Sequence, residues 1–353
     1  MAPSRSNENP LTALVVDVSP VAWGDRDLRR SASDRQRKAA GKSSSGQPLI
    51  LEELLVSIQA FASAFISLER DSALFIVAVA GNEVSVVYPR KDDLEAFFSS
   101  NESKQDSGKM QTLLIQGVAE LIARAAKGVG DIKNQTTASH GAIASGLSVA
   151  LCLVNRFLVA TNAGLSALRS EHAWNRGNAD DEGVIAAIGG IDRKSSNKRA
   201  RAWSPRALVI QASDDRPSDY NAIMNCAFAS VKHRVVVDGC FLRCDDTSAS
   251  SAFLEQTCDL TGGLFLPLSA AAQANKALTE VLLSVFLPPR SCRNKLNLPA
   301  INEVDFRARS FDTGKSTNIA FVCNQCLSIF EEKPKRSCPT CGAEIRSKKN
   351  RGT

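Results

Sequence analysis

The sequence predicts an α/β fold: a doubly wound, mainly parallel sheet of six strands flanked by helices, followed by a small C-terminal module with four cysteines. Three observations carry this. Short β-branched runs such as TALVVDV at 12–18 and ALFIVAVA at 73–80 read as strands buried on both faces. These runs alternate with amphipathic stretches at helical spacing, which requires crossover connections and layers of helix on the sheet. Near the end, Cys323 and Cys326, then Cys338 and Cys341, form two CxxC pairs eleven residues apart.

Taken in order, the first strand covers 12–18 and ends at Asp17 and a Ser-Pro turn. Residues 25–47 are charged, rich in Ser and Gly and without period, and predict a flexible insertion. Leu51, Leu54, Leu55, Ile58, Phe61, Ala62 and Phe65 recur at helical spacing and predict a helix to about Glu69. The second strand, 73–80, turns at Gly81-Asn82 into a hairpin-connected third strand over 84–88. Helices follow over 110–127 and 139–156, and then a second polar insertion over 162–204 that contains the basic run RKSSNKRAR.

A fourth strand over 207–212 ends at Ser213, Asp214 and Asp215. A helix over 217–232 starts with Pro in its first turn. A fifth strand spans 235–239. A helix over 251–261 is closed by Gly262-Gly263, a C-cap signal, and a short sixth strand covers 264–266. The last long helix, 269–286, stops at Pro288-Pro289, and a further strand is expected within 304–311.

The 353 residues leave room for two domains or for one large domain plus a small module. The N-terminus has no apolar stretch behind a basic start, so no signal peptide is expected. No window of about 18 apolar residues is found, so no membrane span is expected. Ten cysteines without a secretory signal point to thiols and metal ligands in a reducing compartment. Six of them (Cys152, Cys226, Cys240, Cys244, Cys258 and Cys292) read as small buried hydrophobes. The net charge of +6 permits nucleic-acid contact without requiring it; part of the excess sits in the tail at Arg346, Lys348, Lys349 and Arg351.

Each CxxC knuckle lets two sulfurs reach one ion from a tight turn. Two knuckles joined by a short hairpin complete a tetrahedral thiolate cage that suits one structural zinc ion and leaves no position open for a substrate. The competing reading is two stray pairs or two disulfides. In an open α/β sheet, ligands bind beyond the carboxyl ends of strands at a switch point, here the loops at Asp17 and Asp214. No phosphate-cradling glycine loop, nucleophile elbow or HExxH pair is found. His140, His172 and His233 have no nucleophile or carboxylate partner in sequence, so an enzyme is not expected.

Asp17-Val-Ser19-Pro-Val21 resembles the metal-site loop of von Willebrand factor A domains, which reads Asp-x-Ser-x-Ser and holds magnesium through hard oxygens. Val21 has no oxygen. Asp214 or Asp215 falls at the family's last aspartate, and Thr136 or Thr137 at its middle threonine. The site is expected to be degenerate and without magnesium, with Asp17 and Ser19 ordering the loop by hydrogen bonds to backbone amides.

A narrower resemblance covers 14–345. VVDVSPVAWG at 15–24, the Ser213-Asp214-Asp215 loop with Ala222-Ile223-Met224-Asn225, the segment from Asp259, VFLPP at 285–289, and the ending from Phe321 through CNQC to CPTC are similar to the small A-domain subunits of the general transcription and DNA-repair factor TFIIH. That resemblance implies a non-catalytic, nuclear, architectural subunit of the TFIIH core. It implies binding to the larger A-domain/RING-finger subunit, which supports the repair helicase, in RNA polymerase II initiation and nucleotide excision repair. DNA contact would be indirect or weak, with no membrane and no small-molecule substrate. The expected division is 1–290 for the A-type domain, 291–318 for a linker, 319–346 for the four-cysteine module and 347–353 for a basic tail. Alternatives are an A-domain scaffold of another intracellular complex, a nucleic-acid binder acting through the zinc module, with Lys333, Lys335, Arg336 and Phe330 to hand, and a cryptic hydrolase at the Asp17 and Asp214 loops.

Overall fold

The structure is a computed structural model. It describes residues 8–40, 49–68, 72–99, 107–128, 142–161, 202–216, 219–244, 250–269, 277–293, 295–297, 308–310, 316–326 and 328–345. The bulk of the second insertion (162–201), Thr136, Thr137, His140, His172, 298–307 of the linker and the basic tail lie outside the described residues.

Six strands form one sheet: β1 (Glu8–Asp17), β2 (Ala73–Ala80), β3 (Glu83–Tyr88), β4 (Ala202–Gln211), β5 (Val236–Leu242) and β6 (Phe265–Leu268), in the order β3-β2-β1-β4-β5-β6. Only β3 runs antiparallel, folded back on β2 by the Gly81-Asn82 turn; the other neighbours are parallel. From β1 the chain moves to β2 on one side and later to β4 on the other. The switch point therefore lies between β1 and β4, where Asp17 ends its strand.

Strand alternation sends Leu14, Val16, Ile76, Leu208 and Ile210 to one face of the sheet and Val15, Phe75, Val77, Val209 and Val237 to the other. The first face is covered by α2 (Leu51–Leu68), α4 (Ser107–Gly128) and α8 (Ala277–Val281). The second is covered by α3 (Leu94–Ser99), α5 (Ile143–Ala160), α6 (Tyr220–Lys232) and α7 (Ala252–Thr261).

Contrary to the sequence expectation, α2 and α5 each carry an 18-residue window apolar enough to cross a membrane, with mean hydropathy 1.5 and 1.8. Both lay that apolar face on the sheet: α2 through Leu54, Ile58, Phe61 and Phe65, and α5 through Leu147, Ala150, Val154 and Phe157.

The first insertion is also corrected. Residues 25–40 of the expected loop belong to a helix, α1 (Pro20–Ala40), with Pro at its favoured first position. It escapes a periodicity search because its inward face is carried by Trp23 and Arg26 within a charged run. Strands β1 and β4 start four and five residues earlier than expected, at Glu8 and Ala202. Each extension contains a proline, Pro10 or Pro205, which reads as a strand breaker. Pairing of β1 with β2 begins only at Leu11, and pairing of β4 with β5 only at Arg206. Both prolines therefore sit where their strand has a neighbour on one side only, the position that tolerates a missing N–H.

Helix α7 matches its signals. Ser251 Oγ accepts from the Leu254 amide at 3.1 Å, and Gly262 takes the left-handed φ of +68° that ends the helix. Gly263 is required for space, since a Cβ there would lie 1.9 Å from the Val237 carbonyl oxygen.

Of the expected last long helix, the described part is α8. It widens into a π-turn over Leu282–Phe286, with Leu287 N donating to Leu282 O at 2.9 Å. Arg206 on β4 takes up its terminal carbonyls, donating through Nη1 to Phe286 O at 2.6 Å and Pro288 O at 3.1 Å. Burial pulls this guanidinium down to about 10, against the opposing attraction of Asp238. Asp238, fully buried on β5, is held bidentately by Arg293 of α9 (Arg290–Arg293) and also accepts from the Leu264 amide at 2.9 Å. The start of the expected linker is thus pinned to the sheet. Of the six cysteines read as buried, Cys226, Cys240 and Cys258 are; Cys244 and Cys292 are half-buried, and Cys152 is exposed.

Arg293→Met removes both charged donors from the buried Asp238 carboxylate. Urea unfolding is expected to show a loss of about 3–5 kcal/mol, partly recovered by adding Asp238→Asn.

Candidate functional site

The carboxyl ends of β1, β4 and β5 meet at the switch point, and the Asp17 side chain is fully buried there. Its Oδ1 accepts from the Ser19 amide at 3.0 Å and the Ser19 hydroxyl at 2.5 Å. Its Oδ2 accepts from the amides of Ala212 at 3.1 Å and Ser213 at 2.8 Å and from the Ser213 hydroxyl at 2.5 Å. Five donors from two strand ends therefore satisfy one carboxylate. Ser19 Oγ also accepts from the Gly81 amide at 3.3 Å, tying in the β2–β3 turn. These oxygens point into hydrogen bonds within the fold, and Val21 adds none.

Helix α1 then covers this pole. Trp23 Nε1 donates to Asp17 O at 2.9 Å. Arg26 is 1% exposed and aims its guanidinium at the ends of two strands, reaching Ala212 O at 3.4 Å, Arg243 O at 3.5 Å and, closest, Leu242 O. Its charge lies 5.2 Å from the Trp23 ring centroid. Burial lowers the Arg26 pKa, while Cys244, Asp17 and Asp214 pull it back up. The place where an open α/β sheet receives a ligand is thus filled by an arginine and a tryptophan. Sequence reading missed Arg26 because its partners are main-chain carbonyls about 200 residues away, which leave no motif.

The structure separates the two aspartates after β4. Asp214 is exposed, and the residue that meets Asp17 is Ser213. Asp215 instead caps α7: its Oδ1 accepts from Ser251 Oγ and from Gln211 Nε2 at 3.1 Å, and its Oδ2 from the Phe253 amide at 3.1 Å. Burial raises the Asp215 pKa against these hydrogen bonds. His233 is exposed at the end of α6.

The second site lies in the C-terminal module. Strands β9 (Phe321–Val322) and β10 (Ile329–Phe330) pair as a hairpin behind two short strands, β7 (Ala308–Arg309) and β8 (Ser316–Thr317), which pair with each other. The Cys323 amide donates to Ser328 O at 2.9 Å, and the Cys338 amide to Ala343 O at 2.8 Å, so both knuckles are tight turns. The four sulfurs of Cys323, Cys326, Cys338 and Cys341 all lie within 4.8 Å of one another, with Cys323–Cys341 at 3.7 Å and Cys326–Cys338 at 3.6 Å. A tetrahedral ion with metal–sulfur bonds of about 2.3 Å needs sulfurs roughly 3.8 Å apart. The cluster therefore fits one metal ion. The amides of Cys326 and then Gln325 hold the Cys323 thiol down to about 6, whereas Cys341, against the pull of the Ala343 amide, is pushed up to about 12 by burial and the neighbouring sulfurs, so the geometry and not the titration carries the metal site. Phe330, 1% exposed, packs with Cys323 and Cys338.

Comparison with known proteins adds a family to this geometry. The family model described as "Transcription factor Tfb4" matches residues 9–342, from the first strand through both cysteine knuckles. The chain belongs to the Transcription factor Tfb4 family. It is 28% identical over 304 residues to the general transcription factor IIH subunit 3 of Dictyostelium discoideum, covering 84% of this chain and 68% of that one. It is 26% identical over 374 residues to the general transcription and DNA repair factor IIH subunit TFB4 of Debaryomyces hansenii, covering 98% and 87%. The crystal structure of the TFIIH p34 N-terminal domain superposes with a TM-score of 0.50 at 19% identity over 79% of this chain and 98% of that one. The fold of this Tfb4-family chain is thus von Willebrand A-like, with a four-cysteine module after it.

Asp17→Asn turns an amide nitrogen toward donors that require an acceptor. Chemical unfolding is expected to show a loss of about 3 kcal/mol, whereas exposed Asp214→Asn should stay within about 0.5 kcal/mol of the unsubstituted chain.

Proposed function

We propose that the chain is a non-catalytic architectural subunit of the TFIIH core, working in the nucleus in RNA polymerase II transcription initiation and nucleotide excision repair. The observation that carries this reading is the family match over 9–342, which takes in both the A-like domain and the cysteine module. Relatives named as general transcription factor IIH subunits support it. Its principal partner is the larger A-domain/RING-finger subunit, with the helicase held through that partner. DNA contact is indirect or weak, and neither a membrane nor a small molecule is bound.

The knotted pole supports the non-catalytic part. Asp17, Ser19 and Ser213 spend their oxygens on one another and on backbone amides, so the A-type site is degenerate and takes no magnesium. The four cysteines hold one structural zinc: thiolate sulfurs suit a borderline-soft ion, and four of them fill its sphere. The zinc contributes folding free energy to its module and performs no reaction. The working units are the A-like domain (1–290), the segment 291–318 that starts with the Arg293 pin, and the module at 319–346.

Affinity purification of the tagged chain from its own cells, followed by mass spectrometry, tests the assembly. Recovery of the larger A-domain/RING subunit with the helicase subunits is expected. Recovery of coat, proteasomal or nucleic-acid partners in their place refutes the reading. Metal analysis should find one zinc per chain, absent in Cys326→Ser, whose A-like domain keeps its own cooperative melt while the module loses amide protection.

A further inference from the structure

The two cysteine knuckles repeat one pattern with one difference. In each, the first cysteine's amide donates to a carbonyl beyond the second cysteine: Cys323 to Ser328 O at 2.9 Å and Cys338 to Ala343 O at 2.8 Å. In each, the amide of that later residue turns back on the second cysteine's sulfur, Ser328 on Cys326 and Ala343 on Cys341. Ser328 and Ala343 therefore hold equivalent places, and Ser328 brings a hydroxyl that Ala343 lacks.

That hydroxyl is used on the cage. Ser328 is 1% exposed, and its Oγ lies 3.0 Å from Cys326 Sγ. A metal-bound sulfur is a thiolate with no proton to give, so the hydroxyl is the donor. A hydrogen bond to an ionised acceptor is among the stronger kind, and with the serine buried water does not compete for it. The second knuckle has a hydroxyl of its own on Thr340, but its Oγ1 is buried with no partner among the described residues, so it gives nothing to Cys341. The difference in donors coincides with a difference in access: Cys326 is half-buried and Cys341 is exposed.

We propose that Ser328 is a positioning residue of the metal site: its hydroxyl holds the Cys326 sulfur from outside the coordination sphere, so the first knuckle grips the ion and the second, with Ala343 in the serine's place, opens first. The proposal rests on the reading of the four cysteines as a zinc site. The hydrogen bond fixes the direction of the sulfur and draws charge from it, which makes Cys326 a poorer nucleophile than Cys341 while the ion is bound. Loss of the ion therefore begins at Cys341, the sulfur that solvent reaches.

The test uses the full chain loaded with zinc. Zinc transfer to a chromophoric chelator is followed while limiting N-ethylmaleimide modifies the thiols, and mass spectrometry maps the order. In the parent, Cys341 is expected to be modified before Cys326. Ser328→Ala should hold zinc about tenfold more weakly and lose the lag before Cys326 reacts. Ser328→Thr, which keeps the hydroxyl, should restore both. Ala343→Ser supplies the missing hydroxyl without touching the first knuckle, and should slow zinc transfer and delay Cys341. A purely packing role for Ser328 would leave the order of modification unchanged. Zinc held equally by the parent and Ser328→Ala, or Cys326 modified first in the parent, overturns the proposal while leaving the zinc site standing. A parent that holds no zinc overturns the metal reading and this proposal with it.

Discussion

The buried carboxylate of Asp17 is the interaction on which the rest of the structure depends. An isolated charge at that depth is strongly unfavourable, and only a complete set of donors makes it tolerable. The donors are two hydroxyls and three amides from the loop after β1 and the end of β4. They tie the ends of β1 and β4 together at the point where the strand order reverses, beyond the last pair of the β1–β4 ladder. A residue type suited to metal coordination here performs the work of a cross-link. The difference lies in Val21, in Ser213 standing where a carboxylate could, and in α1 laid over the top.

A second buried charge performs the same task lower in the sheet. Asp238 is held by Arg293 and lies 3.9 Å from Arg206, which caps the π-turn at the end of α8. The chain leaving the A-like domain is therefore fixed in place before the cysteine module begins. Such pairs are weak contributors to net stability, because desolvation offsets much of their attraction, but each is costly to break on one side. The buried carboxylates of Asp17 and Asp238 thus find their hydrogen-bond donors within the fold.

Much of this was readable in the sequence, and the misses have physical causes. Strand β2 was clear because all eight of its residues are buried, so they form an unbroken apolar run. Helix α7 was clear because Ser251 and Gly262 cap it with local chemistry. The four cysteines were clear because a metal needs its ligands at short, fixed spacings. Helix α1 was lost because one tryptophan and one arginine carry its inward face. The early starts of β1 and β4 were lost because Pro10 and Pro205 are permitted only by which neighbours happen to be missing, a fact of topology. Long-range pairs such as Arg293 with Asp238 leave no pattern along the chain. The loop at Asp17 is legible, but which residue after β4 meets it depends on strand register: the sequence offers Asp214 or Asp215 there, and Ser213 is the residue that donates to Asp17.

A self-contained hydrogen-bonded knot at the switch point and a metal-dependent binding site there differ in an observable way. Residue-resolved hydrogen exchange of the full chain, with and without millimolar magnesium, separates them most directly at the amides of Ser19, Ala212 and Ser213. A self-contained knot predicts protection near the level of global unfolding for all three, unchanged by magnesium. Amides that exchange freely until magnesium is added would contradict it.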